Sequence, residues 1–341
     1  MDRSNEPGAA PQPRRRRRWP WIVGGLAALV LLGLAALGIA LVLLAGAGGA
    51  AAPTTYEEEY VSGSGPDKIA VIPVEGTITS ADSSLAGPVP IATPEGLRDA
   101  LRQAREDESV RAVILAVNSP GGGVTASALM HDAIQDFRRA TDKPVVVSMG
   151  DVAASGGYYI STAADRIVAN ETTLTGSIGV FIPLLNFSEA SKKYGITQIY
   201  IKSGRFKAMG NPWHELTERE REIFQSIVDQ YYGEFVEVIV EGRDLPEKKV
   251  RELADGRVYS GIQAERLGLV DRLGNLDVAV RVTRDLAGID EARVVRYVQS
   301  PGLLEMVLAR LEPQEPESLQ LLKAANLDLE AKPYYLYLPG A

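Results

Sequence analysis

The chain has 341 residues, of which 45% are hydrophobic, so it can form a packed core and does not have the composition of a disordered protein. It contains no cysteine, which excludes disulfides, a thiol nucleophile and thiolate metal sites, and its two histidines are too few to favour a histidine zinc site. Residues 1–18 carry a net charge of +4; since the whole chain carries −8, the rest carries −12, which argues against nucleic-acid binding.

The N-terminal part has the pattern of a cytoplasmic tail followed by a membrane anchor. Residues 1–18 are rich in Pro, Gly and polar residues, which predicts a disordered basic tail. Residues 19–45 contain the apolar run Ile22 to Leu44, long enough as a helix to cross about 30 Å of hydrocarbon. Arginines precede this run and glutamates follow it, so the positive-inside rule places the N-terminus in the cytoplasm and the folded part outside it.

A cleaved signal peptide is the competing interpretation, because Ala45-Gly46-Ala47 resembles a cleavage site. The apolar region of a signal peptide is usually about 7 to 15 residues long, and this run is much longer, so an uncleaved anchor is favoured. Residues 46–66 are then predicted to be an exposed linker, 67–300 a folded domain and 301–341 a C-terminal extension.

Strand and helix patterns alternate through the folded domain. Strands are predicted from Lys68 and at 110–117, 145–149, 166–169 and 196–201, and helices at 94–106, 124–139 and 156–164. This alternation predicts a parallel sheet with helical crossovers, in which active sites lie at the carboxyl ends of strands.

The C-terminal third continues with a long helix and a distinctive tail. Thr217 and Glu220 have the spacing of a capping box for a helix at 218–241, whose apolar stripe indicates a packing or oligomer element. Shorter elements are predicted at 260–270, 276–287 and 293–298. The C-terminal PYYLYLPGA alternates aromatic and apolar residues, so it is expected to pack into a groove as an added strand.

Two glycine-rich turns follow predicted strands. The first, NSPGGG at residues 118–123, exposes backbone amides that can approach a ligand closely, as an oxyanion hole requires. A phosphate cradle would use similar amides, but the Gly-Lys-Ser/Thr of a P-loop is missing, and so is the GxGxxG of a dinucleotide site. On its own, this motif is equally consistent with an ordinary tight turn.

The second turn lies within residues 149–159 (MGDVAASGGYY) and places Ser155 between a buried strand and a helix. The glycines after Ser155 allow unusual backbone conformations, and a helix N-terminus offers free amides to a developing oxyanion. Ser155 is therefore a candidate nucleophile. The simpler alternative is a serine that caps the helix.

A serine nucleophile needs a general base. Neither His131, in the helix after the first turn, nor His214, in a polar stretch, is an obvious partner. A lysine can serve where burial or a neighbouring cation lowers its pKa. Lys207 lies in SGRFKAMGNPW, among apolar residues and glycines with no carboxylate close by, and is the first candidate; Lys202 is the second.

Five motifs, in this order, together resemble the signal peptide peptidase A family, the membrane-anchored serine-lysine peptidases also called protease IV. They are NSPGGG at 118–123, DVAASGGYYIS at 151–161, TLTGSIGV at 173–180, IKSGRFKAMG at 201–210 and GLVDRLG at 268–274.

The resemblance implies a role for five residues: Ser155 is the nucleophile, Lys207 the general base and Ser177 the residue that orients the lysine, while the amides of Gly122 and Gly156 form the oxyanion hole. No cofactor is expected. The implied fold is α/β, like that of Clp protease and the crotonases, a superhelix of β-β-α repeats preceded by one transmembrane helix.

The short, single-domain form implies a homo-oligomeric ring, with an octamer as the expected size, in which neighbouring subunits complete each site. The implied function is endopeptidase action on released signal peptides and other apolar peptides at the cell membrane. Because the PYYLYLPGA tail is apolar and extended, it is itself expected to occupy a substrate-like groove and be trimmed by the enzyme. Three alternatives remain open: a related membrane peptidase that acts with stomatin-like partners, a crotonase-fold acyl-CoA enzyme, and a non-enzymatic membrane scaffold.

Overall fold

The computed structural model describes residues 56–80, 91–298 and 334–336, together with Leu29, Leu32 and Gly33. The chain divides into two compact units, Met1–Pro53 and Thr54–Ala341. In the first unit, the described residues are helical; the predicted tail and most of the predicted anchor lie outside the described residues. Over the described part of the chain, no helix combines the length and the apolar character that crossing a membrane requires.

The second unit alternates strands and helices. Its strands are β1 (Glu57–Gly63), β2 (Lys68–Glu75), β3 (Thr77–Ile78), β4 (Ile91–Ala92), β5 (Val110–Ser119), β6 (Gly121–Gly123), β7 (Val145–Ala154), β8 (Arg166–Ala169), β9 (Leu174–Gly176), β10 (Val258–Ser260), β11 (Arg272–Leu273), β12 (Arg293–Val298) and β13 (Tyr334–Leu336). Its helices are α1 (Pro94–Glu106), α2 (Val124–Ala140), α3 (Gly156–Ser161), α4 (Ser188–Tyr194), α5 (Glu218–Arg243), α6 (Glu247–Leu253), α7 (Gly261–Leu267) and α8 (Leu276–Ala287).

A nine-stranded mixed sheet forms the centre of this unit, with the strand order β1-β12-β2-β5-β7-β8-β11 and with β9 paired to β7 and β10. The pairs from β12 to β11 are parallel, whereas β1 and β10 run antiparallel to their partners. The central strands are apolar along their length because helices cover both faces. The alternation of strands and helices predicted a parallel sheet; the sheet is instead mixed, because β1 and β10 are antiparallel to their partners.

Alternate residues of the central strands pack into two separate cores. Leu115 and Val147 belong to the larger core, to which α1, α2, α3 and α5 contribute. Ile114 and Val146, which point to the opposite face, pack with α8.

A small second sheet carries the first glycine turn. Its order is β13-β6-β3-β4, with β6 parallel to β3 and antiparallel to β13. The segment β5–β6–α2 runs from the large sheet to the small sheet and then into a helix, the β-β-α order that the family resemblance implied. The preceding segment, β2–β3–β4–α1, takes the same path with two short strands in the small sheet.

Most predicted elements are confirmed, and the exceptions have physical reasons. Residues 196–201 do not form the predicted strand; Ile199 and Ile201 are exposed, and no described strand pairs with this segment. Residues 57–63, inside the predicted linker, form the edge strand β1 instead. Its three glutamates suit an exposed sheet edge, which is also why they resemble a linker.

A buried histidine is expected to make the fold sensitive to acid. His131 on α2 is 5% exposed and makes an edge contact with the Tyr159 ring, at 5.2 Å between centroids. Burial lowers the pKa of His131 from 6.5 to about 4, while Asp132 raises it and Arg138 lowers it by smaller amounts. Between pH 6.5 and about 4 the unfolded chain therefore binds a proton that the folded chain excludes, and the free energy of unfolding falls by about 3 kcal/mol in the limit.

We expect His131→Leu to flatten this pH dependence, because the variant has no group to protonate. Thermal unfolding of the full chain in detergent, at neutral pH and at about pH 4.5, measures the difference. Met130→Leu is the matched control, since Met130 lies next to His131 on α2, is 1% exposed and carries no titratable group, and it should keep the wild-type loss. The same acid loss in His131→Leu as in wild type would contradict the assignment.

Candidate active site

Ser155 occupies a strained turn between β7 and α3. Its backbone has φ 52° and ψ −116°, outside the regions that non-glycine residues favour, which costs about 1–3 kcal/mol. Its N–H donates to the Gly176 carbonyl at 2.7 Å, and its own carbonyl accepts the Tyr159 N–H at 2.8 Å. Ser155 is 1% exposed, and its side chain makes no capping hydrogen bond to α3. The capping alternative is therefore wrong, although Ser155 does stand at the cap position.

The large sheet places Ser177 beside Ser155. In the parallel pair of β7 and β9, the last residues Ala154 and Gly176 lie opposite each other, and each serine directly follows the end of its strand. Neighbouring strands are about 4.8 Å apart, so the two serines leave the sheet side by side. Ser177 also has a positive φ, 49°, is 9% exposed, and donates its N–H to the Arg257 carbonyl at 2.8 Å. Two strained serines at one sheet edge mark a candidate functional site.

Neither Gly122 nor Gly156 has room for a side chain, and the two glycines lie on adjoining backbone segments. A Cβ on Gly156 would lie 3.1 Å from the Gly122 nitrogen and 2.5 Å from Ser127 Oγ. A Cβ on Gly122 would lie 1.9 Å from the Ile78 carbonyl oxygen. The structure therefore brings the two glycines with the predicted oxyanion-hole amides onto adjoining backbone segments, and Gly156 directly follows Ser155.

The C-terminal tail occupies the open edge of this arrangement. Strand β13 pairs antiparallel with β6, and its register sets Tyr334, Tyr335 and Leu336 opposite Gly123, Gly122 and Gly121 respectively. The predicted addition of the tail as a strand is confirmed for these three residues. The edge of β6 is thus able to hold an extended peptide.

Lys207 lines a cavity that neither Ser155 nor Ser177 lines. Its side chain is exposed and lines a cavity of about 480 Å³ formed by residues 200–203 and 207–211. Among the described residues, its ammonium makes no hydrogen bond or ion pair with Ser155 or Ser177. Lys202, the second candidate, is also exposed and donates to the Arg205 carbonyl at 3.0 Å. Within one chain the Lys207 side chain is therefore exposed, although its neighbours Ala208 and Met209 are half-buried.

Lys207 belongs to an arm, residues 181–216, that exposes many apolar side chains. They are Leu185, Phe187, Tyr194, Ile196, Ile199, Tyr200, Ile201 and Trp213. An exposed apolar surface of this kind is typical of a contact with another protein molecule.

Comparisons with known proteins assign this arrangement to a family. The model of Peptidase family S49 matches residues 137–290, and the model of Clp protease matches residues 86–174. The chain is 37% identical over 241 residues to the putative signal peptide peptidase SppA of Enterococcus faecium, which covers 71% of this chain and 70% of that protein. The chain belongs to peptidase family S49. The S49 match contains Ser155, Ser177 and Lys207, and the Clp match, together with the mixed sheet, supports a Clp protease-like α/β fold.

This S49 family member also resembles longer proteins. It is 38% identical over 221 residues to Protease 4 of Haemophilus influenzae, covering 65% of this chain and 35% of that protein. It is 36% identical over 236 residues to the chloroplastic serine protease SPPA of Arabidopsis thaliana, covering 69% of this chain and 35% of that protein. A solved structure of a ClpP1 mutant from Listeria monocytogenes covers 60% of this chain and 91% of its own, at 18% identity and a TM-score of 0.39, too low to add to the fold assignment.

Two buried hydroxyls next to the glycine turn are not among the site residues predicted from the sequence. Ser119 and Ser127 flank Gly121–Gly123 in this S49 family member, and both are 0% exposed. A signal was present, because Ser119 is a polar residue at the end of an apolar strand and Ser127 lies one helical turn beyond Gly123.

Proposed function

We propose that this S49 family member is a serine endopeptidase in which Ser155 is the nucleophile and Lys207 of a neighbouring copy is the general base. The observation that carries the proposal is the register of β7 and β9, which sets Ser155 beside Ser177, next to Gly122 and Gly156. The names of the relatives, signal peptide peptidase, protease 4 and serine protease, support the reaction class.

The proposed reaction begins when Ser155 Oγ attacks the carbonyl carbon of a peptide bond while the amine of Lys207 accepts the hydroxyl proton. The carbonyl oxygen gains negative charge and accepts hydrogen bonds from the N–H groups of Gly122 and Gly156. The C–N bond then breaks, and the proton passes from Lys207 to the leaving amine. The acyl group remains on Ser155 as an ester. Water then attacks this ester while Lys207 accepts its proton, and the proton returns to Ser155 Oγ as the acid product leaves. Ser177 orients the lysine by a hydrogen bond.

A site shared between copies is supported by the position of the arm. Within one chain Lys207 is exposed and the arm presents apolar side chains to solvent. A neighbouring copy that covers this surface would bury the arm and bring Lys207 to the edge of a second sheet. A head-to-tail contact of this kind forms a ring where the rotation closes, and the octamer that the family resemblance implies is the proposed size.

The proposed substrates are apolar peptides, in particular signal peptides released from preproteins. Pairing of β13 with β6 supports this, because a substrate that adds a strand there gains main-chain hydrogen bonds and brings a carbonyl to Gly122. Residues 19–45, as a membrane anchor with the N-terminus in the cytoplasm, would keep an extracytoplasmic catalytic domain near such substrates. The domain division is proposed with it, with the folded domain extended to include β1 at residues 57–63 and the segment 301–341 as a C-terminal extension.

The tail is expected to be a substrate of the enzyme itself. Because Tyr335 lies opposite Gly122, cleavage should remove the residues that follow Tyr335 or Leu336. Intact-mass measurement of the wild-type protein should show this loss, whereas Ser155→Ala should keep the full C-terminus. An identical C-terminus in the two proteins would count against self-processing.

Covalent labelling with a fluorophosphonate probe tests the nucleophile and the base together. Wild type should be labelled at Ser155, Lys207→Ala should be labelled far more slowly, and Ser155→Ala should not be labelled, since the probe needs an activated hydroxyl. Ser203→Ala is the control, because Ser203 lines the cavity beside Lys207 without a proposed role. Peptide mapping locates the adduct, and equal labelling of Ser155→Ala would rule out the assignment.

A further inference from the structure

The position of the Gly122 amide depends on two backbone segments that are far apart in sequence. One is β6 itself, which Gly121 enters with φ 100°, a conformation that favours glycine. The other is β3, where Ile78 pairs with Gly122, its carbonyl oxygen 1.9 Å from where a Gly122 Cβ would lie. A small shift of either segment would move the amide.

Ser119 touches both segments. It is the last residue of β5 and is 0% exposed. Its hydroxyl donates to the Gly76 carbonyl at 2.6 Å, and its Oγ accepts the N–H of Gly121 at 3.1 Å. Gly76 in turn donates its N–H to the Asn118 carbonyl at 3.0 Å, so the turn that leads into β3 is joined twice to the end of β5.

Ser127 supports the other end of the same strand. Its hydroxyl donates to the Gly123 carbonyl at 3.0 Å, and its Oγ lies 2.5 Å from where a Gly156 Cβ would be. Buried hydroxyl bonds therefore hold both ends of Gly121–Gly123, and Gly122 lies between them. Ser119 joins two segments, the turn at Gly76 and the start of β6 at Gly121, whereas the Ser127 bond to Gly123 lies within the first turn of α2.

We infer that Ser119 is a positioning residue for catalysis: its hydroxyl holds Gly121 and Gly76 so that the Gly122 N–H points at the developing oxyanion. The inference rests on the proposed peptidase function and deepens it. A hydroxyl that only satisfies a buried carbonyl would contribute to stability alone, whereas a positioning hydroxyl contributes to the transition state more than to substrate binding.

Ser119→Ala separates these two roles. The variant leaves the Gly121 N–H without its partner, so kcat for an apolar peptide should fall by about 10- to 100-fold while KM changes by less than about twofold. The affinity for a peptide aldehyde should fall by a similar factor, because its adduct with Ser155 places an oxyanion in the hole. The affinity for the corresponding unreactive peptide amide should not change.

Thr283→Val is the matched control. Thr283 on α8 is also 0% exposed and donates to the Ala279 carbonyl at 2.7 Å, but it packs on the opposite face of the large sheet. It should lower the unfolding temperature and leave kcat and KM unchanged. If Ser119→Ala does not fold, Ser119→Cys keeps the shape of the side chain with a somewhat larger atom that is a weaker donor and acceptor, and the same split between kcat and KM is expected.

The possible failures are distinguishable. Wild-type protein that neither cleaves peptides nor reacts with the probe at Ser155 would overturn the proposed function. Active wild type together with an unchanged kcat and aldehyde affinity in folded Ser119→Ala, or in Ser119→Cys, would overturn the positioning role alone.

Discussion

Co-expression of two inactive variants, Ser155→Ala and Lys207→Ala, is expected to restore peptidase activity. Each variant alone should lose at least about 10³-fold in kcat, because the nucleophile or its base is missing. In a mixed ring, a Lys207→Ala subunit supplies Ser155 and its Ser155→Ala neighbour supplies Lys207. Random assembly from equal amounts should therefore rebuild about a quarter of the sites.

Two controls make this result specific. Ser155→Ala mixed with the double variant Ser155→Ala/Lys207→Ala has no serine nucleophile in any pairing and should stay inactive. Mixing wild type with the double variant shows how far activity falls when inactive subunits, which supply neither Ser155 nor Lys207, enter the ring. The measurement is the initial rate on a fluorogenic apolar peptide, normalised to the amount of assembled protein.

The outcomes of mixing bear on different parts of the proposal. Full loss in each variant with no recovery on mixing would place Ser155 and Lys207 in the same subunit and contradict the shared site. A wild-type rate in Lys207→Ala alone would instead remove Lys207 as the base. The exposed position of Lys207 in one chain is the reason to expect recovery.

Local signals in the sequence predicted much of the fold. Helices at 94–106 and 276–287 and strands at 166–169 and 293–298 have the predicted bounds because apolar periodicity and helix caps mark their ends. The cap at Thr217, with Glu220 bonding back to it, is confirmed. These features depend on residues close together in the chain.

Features that depend on distant partners were harder to predict. Residues 196–201 alternate like a strand, but β pairing needs a neighbour and none of the described strands provides one. The pairing of β9 with β7, which sets Ser177 beside Ser155, joins segments separated by helix α3 and strand β8. The family resemblance named both serines, while the residues alone suggested only Ser155.

Gly122→Ala is expected to have a large effect, since the new Cβ has no room. It would lie 1.9 Å from the Ile78 carbonyl oxygen and 2.7 Å from the Ile78 nitrogen, and backbone atoms cannot move aside as a flexible side chain can. Strand β6 must therefore shift away from β3, which moves the amide proposed to bind the oxyanion. Loss of such a donor costs about 10²–10³-fold in kcat.

Gly123→Ala, one residue further on, should be nearly silent. Its Cβ would have no neighbour closer than 3.9 Å, and its φ of −64° suits any residue. As the residue that caps α2, it should change the free energy of unfolding by about 1 kcal/mol or less.

We compare kcat for these two variants and measure thermal unfolding in parallel. A loss confined to Gly122→Ala would show that one misplaced amide lowers kcat, rather than any change in the glycine turn. Comparable loss in both variants would show that the turn as a whole is sensitive and would remove the specific case for Gly122. A folded Gly122→Ala protein with the wild-type kcat would contradict the place of Gly122 in the oxyanion hole. Its shifted N–H group would then contribute no hydrogen bond that catalysis requires.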